Sequence, residues 1–364
     1  MSTHPKRRVE MTGRERVRRM FAGQEQDSIP RAEGFWPETI DRFRAEGMTG
    51  DVLDFLGCDF AMLCWSDPKP FPGQNVVVDE DDETRVVRDE WNNRLRWWKH
   101  RSGTPEHVEF ACKTRRDWET VFKPRYLATG PQVDFSFVDR EYKRGRRNGR
   151  WVHLTGLETF EMARRLMGDE VFLMAMIEEP DWVIDFSRTL TDLVIRDFEA
   201  VVAAGYDFDG VWIYGDMAYR NGPLCSPAMY REFVWPDHRR LADWAHRRGV
   251  PLIFHTDGDV NILIDDYLAA GFDCLQPIEA KANMDIRKLA PVYGGRIAFF
   301  GNNDVMVYAT NDRDQIEAEI VGKLRAGMST GKYAYHSDHS VPPSTSWETF
   351  QFIVDLLDRH GNYD

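Results

Sequence analysis

The sequence predicts an α/β protein, a (β/α)8 (TIM) barrel with an antiparallel β insertion and N-terminal helices. Three observations predict it. Five short apolar runs in the C-terminal part of the chain each end in a carboxylate, imidazole or amide: Gly210-Val-Trp-Ile-Tyr-Gly-Asp216, Pro251-Leu-Ile-Phe-His255-Thr-Asp257-Gly258, Cys274-Leu-Gln-Pro-Ile-Glu279, Arg296-Ile-Ala-Phe-Phe-Gly-Asn302-Asn303-Asp304 and Lys332-Tyr-Ala-Tyr-His336-Ser-Asp338-His339. These runs alternate with helical stretches, as parallel strands buried on both faces do, and polar residues at strand C-termini are where such a barrel keeps its chemistry. Between about residues 75 and 113 the texture changes to Val-rich and Trp-rich runs separated by Asp, Asn and Gly turns, which reads as an antiparallel meander.

The elements follow in order. Residues 12–22 carry Val17, Met20 and Phe21 at helical spacing, with Thr12 as cap and Gly23 as stop. Asp27-Ser-Ile-Pro30 turns the chain into an extended segment, and Pro37-Glu-Thr opens a second helix with an acidic first turn. The meander is expected over or beside the barrel mouth. The stretch from Asp117 and the basic residues after it read as helical. A strand resumes at Trp151-Val-His-Leu-Thr-Gly156, followed by a helix through Met167 and a long helix over about 181–204. Beyond that, strands near 210, 252, 274, 297 and 333 alternate with helices over 227–248, 260–270, near 285, 313–325 and 345–359, the spacing of βα units with right-handed crossovers.

A chain of 364 residues with 42% hydrophobic content can bury a large core, and one barrel domain over 1–364 with the insertion at about 75–113 accounts for it. The net charge of -13 argues against a nucleic-acid partner, because that affinity rests on clustered Lys and Arg. The short basic runs Lys6-Arg7-Arg8 and Lys143-Arg144-Gly145-Arg146-Arg147 read as solvated surface. No signal peptide or long apolar span is present, so a cytoplasmic protein without a membrane partner is expected. Cys58, Cys64, Cys112, Cys225 and Cys274 lack CxxC spacing and are expected to be reduced, most of them in the core.

His255-Thr-Asp257-Gly258 is the sharpest local pattern. Residues two apart at a strand end point the same way, so one imidazole and one carboxylate can converge while Gly258 permits the turn. That suits metal ligation or acid/base work; the alternative is a core histidine and a helix N-cap at Asp257. In His336-Ser337-Asp338-His339, alternation sends His336 and Asp338 one way, and the turn after the strand can re-aim His339; the bland alternative is a hydrogen-bonded loop. Asp216 and Glu279 are further strand-end carboxylates that need pairing, a cation or a shared proton, or that act as caps and salt-bridge partners. Trp36, Trp65 and Tyr214 can wall a pocket, although most aromatics are ordinary core.

The sequence resembles the uroporphyrinogen decarboxylase superfamily, which includes haem-pathway decarboxylases and zinc- and corrinoid-linked methyltransferases. The stretches that carry the resemblance are Gly13-Arg-Glu-Arg-Val-Arg-Arg-Met-Phe-Ala-Gly with Asp27-Ser-Ile-Pro30, Tyr214-Gly-Asp216-Met-Ala with Ser226-Pro-Ala-Met-Tyr-Arg-Glu-Phe-Val-Trp-Pro236, His255-Thr-Asp257-Gly258, Gly271-Phe-Asp273-Cys-Leu-Gln-Pro-Ile-Glu279, Gly301-Asn302-Asn303-Asp304, and Asp338-His339-Ser-Val-Pro342. Where the decarboxylases carry an Arg-Gln-Ala-Gly-Arg-type segment for substrate carboxylates, this chain has Arg31-Ala-Glu33-Gly-Phe-Trp36-Pro37-Glu38, which would repel a polycarboxylate. The thiol-directed methyltransferases bind zinc through His-x-Cys and a later Cys; His255-Thr-Asp257 and His339 stand in those places here.

The resemblance therefore implies a harder His/Asp/His set and an oxygen-bearing substrate. It implies a corrinoid-dependent, O-demethylase-like methyltransferase acting on a small methoxylated or methylated compound, with His255, Asp257 and His339 as zinc ligands. Asp216, Glu279 and His336 are assigned catalytic roles, and Trp36, Trp65, Tyr214 and Asn303 substrate binding. The methyl acceptor is cobalamin on a partner corrinoid protein, since no Asp-x-His-x-x-Gly motif is present. A homodimer is compatible with this reading. The alternatives are a metal-free decarboxylase of a small carboxylated compound and a non-catalytic ligand-binding barrel.

Overall fold

In the computed structural model, residues 6–100 and 103–363 are described, so the first five residues of the N-terminal stretch lie outside them. Thirteen strands occur in the described residues: β1 (Phe60–Ser66), β2 (Val76–Glu80), β3 (Thr84–Arg88), β4 (Arg94–Trp98), β5 (Glu106–Glu109), β6 (Trp151–Leu157), β7 (Gly210–Tyr214), β8 (Ala218–Tyr219), β9 (Gly222–Pro223), β10 (Leu252–Thr256), β11 (Cys274–Pro277), β12 (Ala298–Phe300) and β13 (Tyr333–Ala334). Seven of them form one sheet in the order β1-β6-β7-β10-β11-β12-β13. Every pair in it is parallel. Parallel pairing requires a crossover between strands, and the helices expected from the sequence supply it. All the strand C-termini therefore lie at one end.

The expected helix signals act as written. Thr12 accepts from the Glu15 amide and Gly23 ends the first helix at φ 63°, while Pro37 opens the second. The helix after β6 runs over Thr159–Glu178 and is broken at Gly168 (φ 80°, ψ 160°), so it extends a further segment past the expected end at Met167. The insertion is a four-stranded antiparallel sheet in the order β2-β3-β4-β5. All five cysteines are free and buried. Among the described residues no helix is long and apolar enough to cross a membrane.

Two hydrophobic layers result. The larger packs the helices against the sheet. The smaller takes alternate residues from the seven strands, among them Phe60, Trp151, Trp212, Ile253, Cys274, Phe300 and Ala334, together with Ala32 and with Val17 and Met20 of the first helix. The segment before β1 lies alongside β13: Ala32 N donates to Tyr335 O at 3.0 Å and Tyr335 N to Pro30 O at 2.8 Å. On its other side Asp59 N donates to Arg31 O at 2.8 Å.

At the N-terminal end of the strands a buried ion cluster fixes that segment. Arg16 donates to both Asp27 oxygens (2.7 and 2.8 Å) and to Asp59 Oδ1 (2.7 Å). Asp59 Oδ2 takes Arg7 (2.5 Å) and the Arg31 amide (2.9 Å). The basic runs are thus not wholly solvated surface: Arg7 belongs to this cluster, and Arg146 pairs with Asp207 and Asp209 (2.6 and 2.5 Å). Breaking a buried pair by removing one partner leaves an uncompensated charge. Arg16→Met is expected to lower the unfolding free energy by about 3–5 kcal/mol in urea titration; a loss under about 1 kcal/mol would mean that the cluster does not tie the chain.

Candidate metal and active site

The residues singled out at the strand ends gather around Asp257. β10 delivers His255, whose Nε2 lies 3.9 Å from Asp257 Oδ2 and 3.7 Å from Asp216 Oδ1. From the other side of the mouth His339 Nε2 comes within 3.7 Å of the same Asp257 oxygen. Two overlapping sets have ligand atoms within 4.8 Å of one another: Asp216, His255 and Asp257, and Asp257, Glu279 and His339. Asp257 belongs to both. It does not cap a helix; the next helical turn is served by Asp259, which accepts from the Asn261 amide at 3.1 Å.

Local geometry explains the convergence. Gly258, at φ 90°, turns the chain so closely over the β8–β9 ribbon that a Cβ would sit 2.4 Å from the Ala218 carbonyl carbon. Its amide donates to Glu279 Oε2 at 2.8 Å, and the Asp257 amide to Asp216 Oδ1 at 3.1 Å. Asp216 and Glu279 thereby hold the turn that presents Asp257. Asp216 does not begin the following helix either, since Ser226 caps it. His255 Nδ1 pairs with Gln276 Oε1 at 2.5 Å, and the ring stacks on Tyr214 at 4.3 Å. With Nδ1 engaged by Gln276, Nε2 is the ring nitrogen that faces the carboxylates. Tyr214 in turn packs on Trp65 at 5.1 Å, so both aromatics border the histidine.

The electrostatics are strained in the direction a cation relieves. Burial raises Asp257 to about 6, with His255 opposing and Asp216 adding to the rise. Asp257 Oδ1 and His339 Nδ1 are buried without a hydrogen-bond partner. The Asp338 carboxylate stands 3.6 Å from that nitrogen, beyond hydrogen-bond length yet near enough to raise the His339 pKa. Asp338 itself accepts from the Val305 amide at 3.0 Å and faces Lys281 at 3.8 Å. Thus Asp338 turns toward Val305 and Lys281 while His339 is re-aimed at the centre.

Two candidates fall elsewhere. Asn303 is fully buried, and its amide donates to His336 O at 2.9 Å and Tyr333 OH at 3.3 Å, while its Oδ1 has no hydrogen-bond partner. Trp36 is 37% exposed and lines a cavity of about 1160 Å³ beneath the four-stranded sheet, whose wall includes none of His255, Asp257 or His339. That cavity and the cluster around Asp257 thus have different linings. His336 sits edge-on to Phe300 at 5.5 Å with Nδ1 held by Ser337 O at 2.5 Å, and burial lowers its pKa to about 4.

Three residues were not singled out as site groups. Gln276 orients His255, and its signal was an amide interrupting the apolar run Cys274–Pro277. Lys281 is the cation beside Asp338. Glu33 lies 3.7 Å from His336 Nδ1 and accepts from Ser337 Oγ at 2.5 Å and Tyr335 OH at 3.1 Å. Arg31, the one arginine of its segment, is turned away: its guanidinium binds Asp358 at 2.7 Å and Leu357 O at 2.9 Å. It offers nothing to a substrate carboxylate.

Burial raises Glu33 from 4.5 to about 8, so the folded protein holds a proton that the unfolded chain releases. The associated stabilisation is complete below the unfolded pKa and is lost as pH rises through the folded one. Wild-type stability is expected to fall relative to Glu33→Gln across that window. Parallel stability–pH curves for the two proteins would show that Glu33 is ionised in the fold.

Comparison with known proteins gives the family. Residues 159–360 match the model for uroporphyrinogen decarboxylase (URO-D). A methyltransferase from Methanosarcina mazei superposes with TM-score 0.67 over 96% of this chain and 99% of that one, at 19% identity, a likeness of fold. Dispersin B aligns over 91% of this chain and 98% of its own at 11% identity with TM-score 0.41, too low to carry an argument. No curated protein matches. The matched segment spans more than half of the chain and contains Asp216, His255, Asp257, Glu279, His336 and His339, and the chain belongs to the uroporphyrinogen decarboxylase family.

Proposed function

We propose that this family member is a methyltransferase that takes a methyl group from a small methoxylated or methylated compound and passes it to cobalamin on a separate corrinoid protein. The observation that carries the reading is the approach of two imidazole nitrogens to one half-buried carboxylate whose other oxygen has no hydrogen-bond partner. Nitrogen and oxygen donors of this kind fit zinc and leave room for a substrate oxygen. His255, Asp257 and His339 would hold the ion, which when bound supplies a Lewis acid to an ether oxygen. The fold reading that accompanies it is a closed eight-stranded barrel, with residues 30–35 as the eighth strand; their bonds to Tyr335 and Asp59, and Ala32 in the inner cluster, support closure.

The chain's own residues have distinct tasks. Gln276 fixes the His255 ring so that Nε2 faces inward. Asp216 and Glu279 hold the Asp257 turn and stand where a proton must reach the departing oxygen, which keeps the electron pair of the broken bond. Tyr214 and Trp65 give the donor an apolar wall. With Arg31 committed to Asp358 and Glu33 buried against Ser337 and Tyr335, a polycarboxylate such as a tetrapyrrole meets no free cation from this segment.

A second reading keeps support from the His339–Asp257 pair. The raised pKa values of both suit a shared proton, which could serve decarboxylation of a small carboxylated compound without metal.

Zinc is expected at about one ion per chain by elemental analysis and to be lost in His255→Ala. Gln276→Ala, which removes the group that orients a ligand, is expected to weaken zinc by about 10–100-fold. Methyl transfer to reduced cobalamin should track zinc content. Metal-free wild type that releases carbon dioxide from a carboxylated compound with no corrinoid would replace this reading with the second.

A further inference from the structure

The cavity beneath the insertion has a wall of uniform character. β3 and β4 pair Arg85 with Trp97 and Val87 with Leu95, so these four residues share one pleat face, and all four line the cavity. Trp97 and, across the void, Trp36 keep 41% and 37% of their surface exposed, which leaves two indole rings available as platforms. A volume of about 1160 Å³ exceeds what a small reacting group needs.

Its charges are nearly all engaged. Arg165 holds Glu161 at 2.7 Å and Lys69 pairs with Asp67. Asp89 accepts from the Trp91 and Asn93 amides, and Glu90 from the Gly73 amide. Arg85 differs: among the described residues it makes no ion pair, and Glu80, its neighbour across the strand, is taken by Lys99 at 2.8 Å. A guanidinium beside exposed indoles and aliphatic surface recognises an acidic group attached to a flat apolar body.

The cavity also adjoins the reactive centre. The Trp36 amide donates to Val341 O at 3.4 Å, close after His339, and the Glu161 carboxylate is near enough to Asp216 to feel its charge. We propose that this cavity binds planar apolar anions, with the ring against Trp36 and Trp97 and the acidic group on Arg85. The inference rests on the methyltransferase reading in one respect, that the natural occupant is the body of the methyl donor.

The test uses two fluorescent probes with the same ring system, anilinonaphthalene sulfonate and the uncharged phenylnaphthylamine. Wild type is expected to bind the sulfonate at one site per chain, at least about tenfold more tightly than the neutral probe. Arg85→Gln should remove that preference, and Trp97→Ala should weaken both probes; both side chains are exposed, and melting curves check that the variants fold. Equal affinity for the two probes in wild type, or unchanged sulfonate binding in Arg85→Gln, overturns the proposal. Zinc is measured in the same samples: a sulfonate preference that depends on Arg85 in zinc-free protein upholds this site and refutes the metal centre, whereas zinc-loaded protein lacking the preference refutes this site alone.

Discussion

The Asp59 carboxylate is the constraint on which the arrangement of the mouth depends. It receives two guanidinium groups and the Arg31 amide, and so joins the N-terminal helix, the segment before β1 and β1 itself at the end opposite the site. A buried carboxylate is costly unless it is satisfied in this way. Because residues on an extended segment alternate in facing, fixing Arg31 also fixes which way Glu33 points. A slip of one residue would take Glu33 away from Ser337 and His336 and place another side chain there. The stretch Gly13 to Gly23 with Asp27 to Pro30, conspicuous in the sequence, acts from the far end of the strands by setting register.

Much of the fold was legible because its signals are local. Apolar runs ending in polar residues marked the strands, and Thr12, Gly23 and Pro37 marked helix ends through features confined to a few residues. The segment over 30–35 was only partly legible, since Arg31 and Glu33 break any apolar run and its position rests on bonds to residues about 300 positions away. The strands at 298–300 and 333–334 are short, yet their flanking polar residues gave them away. The helix expected to end at Met167 resumes beyond the break at Gly168, which no local signal marks.

The site was legible as a set of residue types and not as a set of roles. His255 and Asp257 follow from strand alternation, but the use of Gln276 as the orienting partner depends on the β10–β11 register, which no single stretch encodes. Asn303 and Asp338 look alike on paper, both polar and both beyond a strand. Only the fold shows that Asn303 is spent on backbone carbonyl and phenol groups while Asp338 adjusts His339. Arg7 and Arg146 were misread for the same reason: a basic run reports charge, and the carboxylates that bury it come from distant sequence.

The placement of the cysteines bears on the chemistry of the mouth. A soft metal site of the thiol-directed kind needs thiolates, yet burial raises the Cys58 and Cys225 thiols to about 11 and Cys64 to about 12. Such groups remain protonated near neutral pH and pack as small hydrophobes. The donors that do converge are imidazole and carboxylate around a half-buried Asp257, with Asp216 and Glu279 close behind. This excess of negative charge stabilises a bound cation and disfavours an anionic thiolate approaching the same point. An ether oxygen carries no such charge, so on the proposed reading the electrostatics that would favour an ion would also favour an oxygen-bearing donor.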